Sequence, residues 1–186
     1  MRVLALADQR PAIDPALMAH KLHVDAVLLL GDLDRAWIES LAEARVPRLG
    51  VHGNHDEPGL LEELGIDNLH RRQLSLGPLT VAGFEGCVKY GRGGPHQYTQ
   101  KEARKLARKL PRADVLICHC PPLGINDDPD DPSHVGFEGL RDWVDKHNPR
   151  HVLHGHVHPL PGRVMERYGD TRVHFVQGAR VLRLAG

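Results

Sequence analysis

The chain has 186 residues, of which 41% are hydrophobic and 26% are charged, as in an average folded domain. Its 24 basic and 24 acidic side chains cancel, which excludes a whole-protein field that would attract nucleic acid or an anionic membrane. The three cysteines form neither a disulfide framework nor a CxxC zinc motif, and no uncharged run approaches the roughly 18 residues that cross a membrane. We therefore expect a cytoplasmic protein with a single domain over residues 1–186.

Short apolar runs alternate with helical patterns along the chain. The runs, which predict buried strands, are Val3–Ala7, Ala26–Leu30, Arg48–His52, Val115–Cys118 and His151–His154. The predicted helices begin at Pro15 after the N-cap Asp14, near Leu33, at Thr99 in a capping box with Glu102, and near Gly136. Because strands separated by helices form crossover units, this order predicts an α/β fold with a largely parallel sheet.

Two further stretches predict strands that follow one another without helices. Residues 73–84 form one stretch, and residues 163–184 form the other, with a turn at Gly169–Asp170. We expect these meander strands to lie on a second sheet. Residues 86–97, which are rich in glycine and proline, and the acidic residues 124–133 are predicted surface loops. His134, at the end of the acidic loop, is a candidate substrate contact.

Polar residues with metal-binding side chains follow the five apolar runs. These residues are Asp8, Asp32, Asn54, His55, Asp56, His119, His156 and His158. Because parallel strands present their carboxyl ends at one edge of a sheet, we expect these side chains to share one crevice. Carboxylate, amide and imidazole ligands suit Mn²⁺, Fe²⁺ or Zn²⁺, and their number exceeds one tetrahedral site, which indicates two ions.

The order of these residues resembles that of a known family, the calcineurin-like metallophosphoesterases. The motifs that carry the resemblance are Asp8-x-Arg10, Gly31-Asp32, Gly53-Asn54-His55-Asp56, His119-x-Pro121 and Gly155-His156-x-His158. The resemblance implies a four-layer α/β/β/α sandwich with two mixed β-sheets. It also implies the metal ligands: Asp8 and His158 on one ion, Asn54, His119 and His156 on the other, and Asp32 bridging both.

Elementary chemistry gives these residues roles in phosphoester hydrolysis. Two divalent ions lower the pKa of a shared water, so that a metal-bound hydroxide attacks phosphorus in line. The resemblance implies that His55 is the acid beside the leaving group, and His55 would donate a proton to the departing oxygen. Asp56 would orient the His55 imidazole through its other ring nitrogen.

The chain departs from the family's first motif, Asp-x-His, because Arg10 stands where histidine is usual. Arginine stays protonated and has no lone pair to donate, so the first metal site loses a ligand. Asp8, Asp32 and His158 would still hold a weaker first ion. Alternatively, one ion at the other site does the chemistry, and Arg10 binds the substrate's phosphate. Two other histidines are candidates for the missing ligand, His52 and His154.

We therefore expect a phosphoric ester hydrolase that uses one or two divalent ions, with manganese, iron or zinc as the candidates. A small phosphodiester is the preferred substrate, because the chain has no room for a separate cap domain and lacks the charge bias that tracks long nucleic acids. A phosphomonoesterase is the nearest rival. A non-catalytic binding scaffold with a degenerate metal site is the alternative from another class. The natural substrate and the oligomeric state are not visible in the sequence.

Overall fold

The computed structural model describes residues 1–158, 162 and 164–185. The first large sheet has five strands, and neighbouring strands run parallel except for one pair at its edge. The strands lie in the order β13 (Gly178–Arg183), β1 (Arg2–Ala7), β2 (Ala26–Leu29), β3 (Arg48–Gly50) and β4 (Asp67–Asn68), and β13 is antiparallel to β1. This sheet therefore directs the carboxyl ends of β1, β2 and β3 to one edge.

The second large sheet has six strands, of which the inner four run parallel and the two outermost are antiparallel to their neighbours. They lie in the order β11 (Arg167–Tyr168), β12 (Thr171–Phe175), β10 (His151–His154), β9 (Val115–Cys118), β6 (Leu79–Phe84) and β5 (Gln73–Leu76). A separate parallel pair consists of β7 (Cys87–Val88) and β8 (Gln97–Tyr98).

Five α-helices are described, and none of them is long and apolar enough to cross a bilayer. They are α1 (Pro15–Lys21), α2 (Arg35–Ile38), α3 (Leu60–Glu63), α4 (Gln100–Ala107) and α5 (Glu138–His147). Asp14 caps α1 by accepting a hydrogen bond from the Leu17 amide at 2.8 Å. The capping box of Thr99 and Glu102 opens α4 as predicted.

Alternating side chains on β1 show how the layers are arranged. Val3, Ala5 and Ala7 lie in a central core that also contains residues from the second sheet. Leu4 and Leu6 face the opposite way, into a core shared with α1, α2 and α3. The outer face of the second sheet has its own core, which α4 and α5 cover. The predicted α/β fold with two mixed β-sheets is therefore confirmed, and the three cores are arranged as an α/β/β/α sandwich requires.

The structure corrects several details of the predicted elements. The helical pattern near Leu33 divides into α2 and a short 3₁₀ helix over Glu39–Glu43, and α3 was not predicted. The predicted loop 86–97 contributes a short strand, because Cys87 is buried in the core under α4 and α5. The last meander strand, β13, joins the first sheet rather than the second, where it pairs with the edge of β1 and buries Leu182 in the central core.

Candidate metal centre

The five strand ends that carry the polar motifs meet at one side of the molecule, although they belong to two sheets rather than one. Asp8 and Asp32 follow β1 and β2 in the first sheet. His119 and His156 follow β9 and β10 in the second sheet. The two sets are in contact, since Nε2 of His119 lies 3.4 Å from an oxygen of Asp32. The edge therefore unites ligands from both sheets.

Three side chains at this edge form a compact group with the geometry of a metal site. Asp32, His119 and His156 each offer one ligand atom, and these atoms lie within 4.8 Å of one another. Asn54 adjoins the group, because its Oδ1 lies 3.1 Å from Nε2 of His119. The combination of a carboxylate, an amide oxygen and two imidazoles is suited to a transition-metal ion.

The tautomer of His119 supports this assignment. Its Nδ1 donates a hydrogen bond to the carbonyl oxygen of Leu30 at 2.8 Å, so the neutral ring has a lone pair on Nε2. That lone pair faces two oxygen acceptors, from Asn54 and Asp32, in a fully buried position. Acceptors that face one another in a buried space need a cation or a proton between them. The residues present therefore fit a divalent ion.

The charges of Asp32 and His119 stabilise each other when no ion is bound. Burial alone would raise the pKa of Asp32, but the adjacent His119 ring outweighs it and brings that pKa to about 2. Burial likewise opposes protonation of His119, yet the carboxylates of Asp32 and Asp8 raise its pKa to about 9. A metal ion would replace the His119 proton as the cation between these carboxylates.

His156 is held in a different way. Its Nε2 donates to the carbonyl oxygen of Ser133 at 2.8 Å, which leaves Nδ1 as the ligand atom. Burial lowers the pKa of His156 to about 3, so this ring is neutral at physiological pH. The acidic loop that contains Ser133 thus orients a candidate ligand of the centre.

Unusual backbone geometry positions these side chains. Asp8, Asp32 and His156 all have a positive φ, at 59°, 54° and 68°. Few residues other than glycine adopt this conformation, and its concentration at one site indicates that the surrounding structure enforces it. The motif glycines permit close approach, because a Cβ at Gly53 would collide with the Asp32 carboxylate and one at Gly155 would lie 2.5 Å from Asp8 Oδ2.

Asp8 and His158, the other two predicted ligands, border the compact group without belonging to it. Both oxygens of Asp8 accept from the backbone amide of His156, at 3.2 and 3.0 Å. Burial raises the pKa of Asp8 to about 6. His158 is exposed, and its Nδ1 lies 3.0 Å from Nε2 of Gln177. Within the described ranges, the structure thus brings together candidate ligands for one ion and places the candidates for a second ion nearby.

His55 and Asp56 occupy separate environments. The exposed His55 lines an open cleft with Asp8 and Asp32, and its backbone amide donates to Oδ1 of Asp32 at 2.9 Å. The prediction that Asp56 orients the His55 ring is not supported by the contacts of Asp56. Its carboxylate instead accepts from three backbone amides, those of Asp32, Leu33 and Gly53, at 3.1, 2.7 and 2.7 Å. A buried carboxylate satisfies these amides, which have no strand partner.

Arg10 and the two substitute ligands do not belong to the compact group. Arg10 is exposed in a neighbouring cleft and makes no hydrogen bond or ion pair within the part of the chain that the structure describes. Nε2 of His52 lies 3.5 Å from Glu62, and the ring stacks on His96 at 4.6 Å. Nε2 of His154 accepts from Asn126 at 2.9 Å.

Some functional groups were not predicted from the sequence. The carbonyl oxygens of Leu30 and Ser133, which orient the two ligand imidazoles, belong to the backbone and have no residue signature. Tyr90 accepts from Nδ2 of Asn54 at 3.3 Å, and so directs the amide oxygen toward His119. His134, predicted as a substrate contact, donates from Nδ1 to Asp131 at 2.7 Å, and its ring lies 5.2 Å from that of His156.

Comparisons with known proteins agree with this fold. The family model for calcineurin-like phosphoesterases matches residues 6–160. A crystal structure of TT1561 from Thermus thermophilus is similar, with a TM-score of 0.63, 17% identity, and coverage of 95% of this chain and 89% of that one. Another crystal structure has a TM-score of 0.68 at 17% identity, with 99% of each chain covered. No curated protein sequence matches. The chain belongs to the calcineurin-like phosphoesterase family.

Proposed function

We propose that this protein is a metal-dependent phosphoric ester hydrolase that prefers small phosphodiesters. The family supports phosphoric ester hydrolysis in general. The observation that carries the proposal is the placement of buried His119, whose Nδ1 is held by the Leu30 carbonyl while its Nε2 lies 3.1 Å from Oδ1 of Asn54 and 3.4 Å from an oxygen of Asp32. This arrangement is stable only with a positive charge among the three groups, and it occurs at the family's motif residues.

Asp32, Asn54, His119 and His156 are the proposed ligands of one divalent ion. Their mixed oxygen and nitrogen donors suit manganese, iron or zinc. A bound ion of this kind activates water for attack on phosphorus and neutralises phosphoryl charge. Asp8 and His158 are the proposed ligands of a second, weaker site. Its geometry lacks the histidine that Arg10 replaces.

His55 is the proposed general acid. Its exposed ring lines the cleft next to Asp32, while its backbone amide is held by the Asp32 carboxylate at 2.9 Å. A proton on the ring can therefore pass to the departing oxygen of a substrate whose phosphoryl group lies beside Asp32. Asp56 acts on the same step as a positioning residue, since it holds the backbone around Asp32 and Gly53.

The charge of the cleft favours a diester over a monoester. The cleft has a volume of 340 Å³, and its lining includes the carboxyl groups of Asp8, Asp32, Asp34, Asp56 and Glu57. Its one arginine, Arg35, is paired with Glu63. A bound divalent ion would offset two of these negative charges. The remaining carboxylates repel the second negative charge, which a phosphomonoester brings and a phosphodiester lacks.

Hydrolysis assays on chelator-stripped protein test this proposal. Mn²⁺ is titrated back, and bis(p-nitrophenyl) phosphate is compared with p-nitrophenyl phosphate. We expect metal-dependent turnover with kcat/KM at least about tenfold higher for the diester. His55→Ala should lower kcat, while His20→Ala, an exposed histidine on α1, should not.

Two results would contradict the proposal at different levels. A higher kcat/KM for the monoester would overturn the substrate preference and keep the hydrolase. The absence of turnover of either ester with manganese, iron or zinc would overturn the enzymatic function itself and favour a binding scaffold.

A further inference from the structure

A second cleft lies next to the acidic cleft of the metal centre. It has a volume of 430 Å³ and is lined by residues 10–15 together with Ala36 and Trp37. Trp37 also lines the acidic cleft that contains Asp32 and His55. The two clefts therefore meet at Trp37. A ligand whose phosphoryl group lies at the metal centre can extend across Trp37 into the second cleft.

Trp37 presents an aromatic surface at this junction. It lies on α2 and packs partly against the core between that helix and the first sheet, while the rest of the residue is accessible. Its indole N–H has no hydrogen-bond partner among the described residues. A partly exposed indole beside a polar centre is a stacking surface for a flat ring, whatever the ring's hydrogen-bonding pattern.

The charge in the second cleft is unbalanced. Arg10 is exposed, and its guanidinium pairs with no carboxylate in the described part of the chain. The cleft's one carboxylate belongs to Asp14, which is engaged as the N-cap of α1. The remaining lining is apolar, with Pro11 and Ile13 among it. A guanidinium next to an apolar and aromatic wall suits a planar ligand that carries an anionic group.

We propose that the second cleft is a nucleotide subsite, in which Trp37 stacks on the base and Arg10 binds a second phosphate of the same ligand. The inference rests on the proposed function for the position of the first phosphate, at the metal centre. A nucleotide is the proposed substrate class, because a phosphate ester of a simple alcohol would leave both Trp37 and Arg10 without contacts. In this arrangement Arg10 is a specificity residue rather than a replacement for the missing metal ligand.

Calorimetric binding to the Mn²⁺-loaded protein tests the base contact without requiring turnover. AMP, the monoester product that hydrolysis of a nucleotide diester would release, is compared with ribose 5-phosphate. The two ligands have the same phosphate and sugar and bring the same charge into the cleft, but ribose 5-phosphate has no base. We expect AMP to bind about tenfold more tightly to the wild type. Trp37→Leu should reduce this ratio to near one, and Trp37→Phe should retain most of it. A ratio near one in the wild type, or a ratio unchanged in Trp37→Leu, would overturn the subsite.

The contact with the second phosphate is tested in the same way. Adenosine 3′,5′-bisphosphate should bind several-fold more tightly than AMP, and Arg10→Gln should abolish the difference. Arg183→Gln is the matched control, because it removes the same charge at the opposite end of β1, where Arg183 lies across from Arg2. An equal loss in both variants would overturn the role of Arg10. If AMP preference persists in a protein that hydrolyses no ester, the subsite is supported and the proposed hydrolase is overturned.

Discussion

Two of the clusters that histidine and carboxylate form among the described residues use the same residue types for opposite purposes. One is the metal group of Asp32, Asn54, His119 and His156. The other, which we call the Glu85 cluster, consists of Glu85, His70, His96 and Tyr98. In the Glu85 cluster an oxygen of Glu85 accepts from the Tyr98 hydroxyl and lies 3.3 Å from His96 Nδ1 and 3.7 Å from His70 Nε2.

The difference lies in the direction of the hydrogen bonds. Donors surround Glu85, and they outweigh the effect of burial so that its pKa falls to about 2. Nδ1 of His70 is also occupied, because it accepts from the Glu85 amide at 3.2 Å. In the metal group, by contrast, Nδ1 of His119 is fixed as a donor by the Leu30 carbonyl, so the lone pair that Nε2 gains when its proton leaves faces the oxygens of Asn54 and Asp32. A buried histidine cluster therefore indicates a metal site only where its lone pairs converge on acceptors.

Removing a carboxylate from the metal group should have the largest effect on activity. Asp32→Asn leaves the size of the side chain unchanged but removes a charged ligand. Mutations of residues that only support metal ligands cost about 10–100-fold in affinity or activity, so we expect a loss of at least about 100-fold in kcat/KM. Steady-state hydrolysis of bis(p-nitrophenyl) phosphate at saturating Mn²⁺ measures this loss in kcat/KM. Activity within tenfold of the wild type would contradict the ligand role.

Asp56→Asn should have the next largest effect, through position rather than ligation. The amide retains one acceptor oxygen but leaves backbone N–H groups at Asp32, Leu33 or Gly53 without a partner. We expect Mn²⁺ affinity to fall by about 10–100-fold, with partial rescue of activity at high Mn²⁺. Calorimetry and an activity titration measure the two effects. If affinity is unchanged but activity falls, Asp56 acts on catalysis directly.

Glu85→Gln should separate the two clusters. The substitution removes the charged acceptor of the Tyr98 hydroxyl and of the adjacent imidazoles, and we expect the free energy of unfolding to decrease by about 2 kcal/mol. Mn²⁺ stoichiometry and kcat should remain those of the wild type at a temperature where the variant is folded. Urea denaturation measures the free energy of unfolding. A loss of bound metal in this variant would mean that the clusters are coupled.

The smallest expected effect is on the pH dependence of stability. Burial lowers the pKa of His70 below 6.5, so the unfolded chain takes up a proton first as the pH falls. The stabilising contribution of the neutral ring is complete above pH 6.5 and is lost below it. His70→Phe, which can keep the stacking on Tyr98, should therefore make the free energy of unfolding fall less steeply between pH 7 and pH 5. An unchanged slope would show that the protonation of His70 does not differ between the folded and unfolded protein in this pH range.

Where motif residues follow strands, the sequence predicted which side chains the structure brings together. Asp32, His119 and His156 could be placed because buried apolar runs immediately precede them, and parallel strands bring such positions together. Asp56 could not be assigned correctly, since the adjacent His55 was a plausible partner and the three unpaired amides appear only in the folded backbone. The position of Arg10 depends on the path of residues 10–15, which no periodic pattern describes.

The division of the strands between two sheets was also only partly predictable. Hydrophobic runs identify β1 and β9 as buried, but they do not say which sheet each strand joins. Strand β13 is an example. It pairs with β1 because β1 would otherwise be the unpaired edge of the first sheet, and the residues of β13 alone do not indicate this partner. The sheet that each strand joins is therefore determined by long-range pairing and cannot be predicted from local patterns.

Anomalous diffraction from crystals soaked in Zn²⁺ tests the metal assignment most directly. We expect a zinc peak about 2.0–2.2 Å from Nε2 of His119 and from an oxygen of Asp32, with Nδ1 of His156 also coordinated. No peak should occur in the Glu85 cluster, where donors surround the carboxylate. A peak among Glu85, His70 and His96, with none beside His119, would contradict the assignment.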